Sequence, residues 1–118
     1  MIVAEHARSD AREGGLSRAD ARRMWGRSVD VLTRVVRIAG SVCAALLAIH
    51  VVFTLGGANP DNGITEFVAS AADTLALGFQ DLFMPADPQL EVLVNYGTAA
   101  LFWLVITGIA TRILTSLR

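Results

Sequence analysis

The sequence predicts an all-α fold, a membrane helical hairpin of two transmembrane helices. An amphipathic outer helix lies between them, and a basic amphipathic helix leads in from the N-terminus. Three observations carry this. Two uncharged apolar runs each reach bilayer length, the arginines gather at the two chain ends, and the connection between the runs is acidic with helical periodicity. The composition agrees. Hydrophobic residues make up 53% of 118 positions, and counting glycine without the one tyrosine raises the share to roughly 61%, against about 45–50% in a soluble domain. A soluble chain this short has too much surface for its volume to hide so much apolar matter.

The net charge of -1 averages two opposite regions. All 10 basic residues are arginine. Arg8, Arg12, Arg18, Arg22, Arg23, Arg27, Arg34 and Arg37 precede the first apolar run, and Arg112 and Arg118 follow the second. The stretch between carries only acids: Asp61, Glu66, Asp73, Asp81, Asp87 and Glu91. Absence of Arg and Lys from the connection puts both termini on the cytoplasmic side. The expected arrangement is a membrane crossed twice.

Residues 1–15 are rich in small and charged types, include Gly14-Gly15, and read as a disordered tail or as sequence upstream of the functional chain. Residues 16–37 form the cytoplasmic basic helix. Ser17 with Asp20 fits a capping box, and Trp25, Val29, Leu32 and Val36 fall on one face. Trp25 at headgroup depth and the snorkelling Arg34, Arg37 and Arg112 are the expected interfacial anchors. The sharper reading of this helix is a docking surface for anionic lipid or a cytoplasmic partner.

The first span is 38–58, about 31 Å of helix, and the second is 92–111, about 30 Å. Gly56 and Ala58 are small enough for a signal-peptide cleavage site, but the apolar run exceeds the 7–15 residues usual for one. Residues 59–91 form the extracytoplasmic acidic loop. Asn59-Pro60-Asp61-Asn62-Gly63 signals a turn. An amphipathic helix over 64–84 follows, with Ile64, Phe67, Val68, Ala71, Leu75, Phe79 and Leu82 on its apolar side. It should lie on the outer surface or dock on the spans, and its acidity favours docking on protein. Pro85 and Pro88 end it. Residues 112–118 form a cytoplasmic tail.

Three groups of residues stand out. Gly40, Ala44 and Ala48 repeat every four positions, a small-xxx-small stripe that lets helices approach closely. Matching depths from Arg37 and Arg112 sets them opposite Ile109, Val105 and Leu101 and reads them as the hairpin's own seam. His50 is an ionisable group inside a span and a functional candidate on that ground. The same depth match brings it to Ala99, and the simpler reading is a neutral imidazole hydrogen-bonded to Asn95, Tyr96 or Thr98. Asn95 is expected to bond across to Thr54, Tyr96 to sit in an aromatic belt, and Trp103 to pack near mid-membrane. Cys43 reads as a small buried hydrophobe.

No catalytic, cofactor-binding or metal-ligating set is expected. The loop acids are dispersed, no second histidine or carboxylate lies in either span, and no Gly-rich phosphate loop follows a strand. The charge balance argues against a nucleic-acid partner.

The stretches Gly57 to Gly63 (GANPDNG), Leu77 to Phe83 (LGFQDLF) and Val94 to Leu104 (VNYGTAALFWL), with Arg-only, Ala-rich usage, resemble small uncharacterised two-span membrane proteins of high-GC actinobacteria. The resemblance covers about residues 35–115. It implies a two-span inner-membrane protein and carries no activity or site residue. The function expected is non-enzymatic: an accessory or scaffold subunit in the lipid bilayer that pairs with itself or joins a larger membrane-protein complex. The alternatives are a holin-like or small-channel pore former and a transducer with 17–37 as its output helix.

Overall fold

The computed structural model describes residues 2–117, with side chains described for 2–5 and 17–117. Three helices and one 3-10 turn make up the fold, with no strand among the described residues. Their order is α1 (Ile2–Leu55), α2 (Gly63–Leu75), the 3-10 turn (Phe79–Asp81) and α3 (Pro88–Ser116). α1 and α3 each contain a stretch long and apolar enough to cross a membrane. Only 22% of the most apolar window in either helix is buried inside the fold. The remaining apolar surface, including Val42, Val52, Leu101, Val105 and Ile109, faces outward. A soluble core helix would turn such residues inward; lipid accepts them as they stand.

α1 is continuous where the sequence suggested two pieces. It takes in 2–15, read from sequence as a disordered tail, so the expected boundary near residue 16 is absent from the backbone. Ala, Arg and Glu, all strong helix formers, surround Gly14-Gly15, whose cost is about 1 kcal/mol each. The side chains of residues 6–16, Arg8 and Arg12 among them, lie outside the described residues.

The chain punctuates these helices with specific chemistry. α1 ends in a Schellman motif. Ala58 N–H donates to Phe53 C=O at 2.8 Å, Gly57 N–H donates to Thr54 C=O at 3.4 Å, and Gly57 takes the left-handed φ of 71° that the motif needs. The Asn59–Gly63 turn forms as read. Asn59 Oδ1 accepts from Asp61 N–H, and Asn62 caps α2 by accepting from Ile64 N–H at 2.9 Å. Asp87 caps α3 in the same way, with Pro88 in its first turn. Pro88 therefore opens a helix and does not merely end the previous one.

α1 and α3 pack antiparallel. Trp25 Nε1 donates to Leu117 C=O at 2.8 Å, Gly40 meets Thr107, and the His50 ring meets the Tyr96 ring. This register differs from the one read off the arginines. Charge levels pair position 50 with Ala99 and Gly40 with Ile109; the packed contacts are Tyr96 and Thr107, two to three residues earlier in α3. Arginines at a helix end reach several ångströms up or down by snorkelling, so they do not fix a register to better than a turn. Side-chain packing does.

The seam itself is also re-drawn. Gly40 and Ala44 are buried, whereas Ala48 is exposed, and so are Ile109, Val105 and Leu101. The buried line of α1 is Val29, Gly40, Ala44, Leu47 and Val51, continuing at i+4 then i+3. That alternation keeps a stripe facing one partner, whereas a strict four-residue repeat drifts off the face. Gly40 is the tight point, since a Cβ there would lie 1.8 Å from Thr107 Oγ1.

Gly40→Ala is expected to cost about 1–3 kcal/mol by overpacking. Ala48→Leu, on the open face, is expected to stay within about 0.5 kcal/mol. Thermal unfolding of both variants in mild detergent checks the pair; equal losses would return Ala48 to the seam.

Candidate functional site

The segment between the long helices does not rest across their ends. It doubles back alongside them. α2 runs beside α1 in the opposite sense, about 20 Å long. Near its start, Thr65 and Ala69 share a cavity of about 280 Å³ with His50, Phe53 and Thr54. Further along, Ala72 and Ala76, both fully buried, join Leu47, Val51, Tyr96 and Ala99 in one apolar cluster. At its end the Trp103 indole N–H donates to Leu75 C=O at 2.8 Å. Trp103 is 11 residues beyond Val92, about 16 Å down the apolar window of α3. The tip of the segment therefore sits about halfway along both apolar windows.

The expected helix over 64–84 is cut short at Leu75. Leu77 (φ 55°) and Gly78 (φ 92°) both take left-handed conformations, and the chain turns there into the single 3-10 turn. Left-handed backbone costs a non-glycine residue roughly 1–2 kcal/mol, so the turn is held by its surroundings. The buried face is correspondingly narrower than the sequence pattern suggests. Val68, Ala72 and Ala76 are buried, with Leu75 and Phe79 packed against the cluster, while Ile64, Phe67 and Leu82 are exposed. Small side chains let α2 approach the pair closely.

Three residues of α3 hold the segment. Asn95 is fully buried and makes three hydrogen bonds to backbone. Its Nδ2 donates to Gln80 C=O and Phe83 C=O, and its Oδ1 accepts from Phe83 N–H, all at 2.8 Å. The amide thus pairs with both backbone groups of Phe83, as a neighbouring strand would. Tyr96 Oη donates to Asp73 Oδ1 at 2.5 Å. Trp103 supplies a donor to the last turn of α2, whose carbonyls lack helical partners. Gln80 adds another, its amide donating to Asp73 C=O at 2.8 Å.

These bonds redirect the predicted polar residues. Asn95 does not reach Thr54, which is exposed. His50 hydrogen-bonds none of its three expected partners: the Asn95 amide bonds Gln80 and Phe83, the Tyr96 hydroxyl donates to Asp73, and Thr98 Oγ1 donates to Val94 C=O at 2.6 Å. What His50 keeps is the face of Tyr96, ring centroids 4.5 Å apart and tilted by 60°. Trp103 packs, as expected, and also donates. Trp25 is half-exposed and ties the lead of α1 to the end of α3 through Leu117. Arg34, Arg37 and Arg112 are exposed.

Sequence reading missed Asp73, Gln80 and Phe83 as partners. Two signals were present. A buried amide in an apolar run demands partners, and the nearest unpaired backbone belonged to the connection, not to the other span. Gly78 inside a helical pattern also marked the break. Chemically the arrangement is a clasp. Among the described residues no three His, Cys, Asp or Glu side chains converge to hold a metal ion.

Asn95→Ala leaves Phe83 N–H and C=O and Gln80 C=O unpaired, an expected loss of about 3 kcal/mol. Tyr96→Phe removes a bond to an exposed carboxylate and is expected to cost about 1 kcal/mol. Amide hydrogen exchange at 77–87 in detergent checks both; protection lost only in Tyr96→Phe would contradict this ranking.

No protein-family model, no curated protein and no solved structure matches this chain.

Proposed function

We propose that this chain is a two-span membrane hairpin and acts as a non-enzymatic subunit of an oligomeric assembly in a bacterial inner membrane. Both termini lie in the cytoplasm, because every arginine flanks the spans on the outer sides of the chain. The doubled-back segment is then re-entrant from the outside.

One observation carries the reading. Halfway along two apolar helices the chain exposes non-helical backbone at Leu77-Gly78, together with the exposed Asp73, Thr74 and Asp81. Lipid does not tolerate such groups; irregular backbone at bilayer depth is found where protein covers it or where it lines water. A lone copy supplies neither. Cover by a neighbouring subunit satisfies the requirement, and the scaffold or accessory role follows from it.

The same observation supports a second reading, a pore in which several copies turn their re-entrant turns toward shared water. The acids on the exposed side of α2 (Glu66, Asp73) and Asp81 suit a cation path. The two readings differ in what touches Leu77.

The test uses Leu77→Cys in a Cys43→Ala background, in native membranes. Cover by protein predicts an oxidative crosslink to a neighbouring chain and protection from a membrane-impermeant thiol reagent. A pore predicts labelling from outside and dye leakage on induction. A strictly monomeric particle in mild detergent, with Leu77→Cys neither crosslinked nor labelled, overturns both.

A further inference from the structure

At the opposite end of the long helices, the structure holds a cleft that the clasp does not use. Its volume is about 370 Å³, and it is lined by Arg37 of α1 and by Thr111, Arg112, Thr115 and Ser116 of α3. Arg37 and Arg112 are exposed, and neither forms an ion pair with a described carboxylate. The hydroxyl hydrogens are already committed. Thr111 donates to Gly108 C=O at 3.0 Å, Thr115 to Thr111 C=O at 2.7 Å, and Ser116 to Ile113 C=O at 2.6 Å. Two residues with guanidinium groups thus line the cleft, beside hydroxyl oxygens that remain able to accept.

That combination selects its ligand. Guanidinium groups bind phosphate oxygens with paired hydrogen bonds. The accepting hydroxyl oxygens suit a headgroup that carries its own O–H donors, and a headgroup ammonium would be repelled by both arginines. Ile38 and Ile113 adjoin the two arginines in sequence, Ile109 lies about one helical turn before Arg112, and all three are exposed, an apolar surface suited to acyl chains. Basic clefts between spans on the cytoplasmic side are a recurrent headgroup site.

We infer that the cleft between Arg37 and Arg112 binds the headgroup of an anionic phospholipid with a polyol head, taken from the cytoplasmic leaflet. The inference rests on the reading of α1 and α3 as membrane spans. Resistance of the protein to alkaline carbonate extraction tests that reading separately.

The experiment measures thermal unfolding of the full chain in mild detergent with added phosphatidylglycerol, phosphatidylcholine or inorganic phosphate. Phosphatidylglycerol is expected to raise the melting temperature by about 5 °C, and the other two by less than about 1 °C. The rise is expected to vanish in R37Q/R112Q and to fall by at least half in each single variant. It is expected to persist in R22Q/R23Q, which removes two exposed charges outside the cleft. Equal stabilisation by phosphatidylcholine, full stabilisation by phosphate alone, or equal loss in R22Q/R23Q overturns the site. Carbonate-resistant protein with no phosphatidylglycerol preference overturns it while leaving the spans intact; carbonate-extracted protein fails the span reading and the site with it.

Discussion

The fold between the long helices depends on the Asn95 amide. Its three hydrogen bonds to Gln80 and Phe83 occupy a fully buried position, where an unpaired amide would cost several kcal/mol. Once they form, the chain at 80–83 is fixed against α3, and the turn at Leu77-Gly78 is forced down along the helix pair. Trp103 and Gln80 then reach the last carbonyls of α2. Tyr96 reaches Asp73 from the residue next to Asn95. Neighbouring side chains on one helix thus grip the returning chain and the descending helix together. The left-handed Leu77 is tolerated because these contacts over-determine its place.

The clasp needs the two long helices in one register, and that is set at the other end of the pair. Gly40 has no Cβ, so α1 presses directly on Thr107. With that contact made, His50 falls beside Tyr96 and Leu47 beside Ala99, and Leu47 and Asn95 become the largest fully buried side chains. An added methyl at Gly40 is therefore felt at the far end of the pair as well as locally.

On the proposed two-span reading, the polar groups fall at two levels. The exposed Asp73 and Asp81 and the irregular backbone at Leu77-Gly78 lie beside the apolar windows, where a neighbouring subunit or water would have to satisfy them. Arg37, Arg112 and the hydroxyls of α3 lie at the other end, where that reading puts lipid headgroups.

Much of this was legible from sequence. The two apolar windows, the arginine segregation and the Asn59–Gly63 turn follow from local rules, because hydropathy and turn chemistry act over one or two turns. Gly40 and Ala44 were legible as a close-packing stripe; Ala48 was not excluded, because a four-residue repeat looks the same whether or not it stays on the face. The partners of Asn95, Tyr96 and His50 were not legible. Depth matching by arginines assumes rigid anchors, and arginine side chains are long and flexible. Which backbone a buried amide meets is decided by contacts 12 to 15 residues away, together with a break at Leu77-Gly78 that periodicity smooths over. Sequence alone determined which segments are apolar, which are charged and where the first span gives way to a turn. Only the tertiary structure decided the register and the doubled-back turn, since both arise from packing and hydrogen-bond satisfaction between elements.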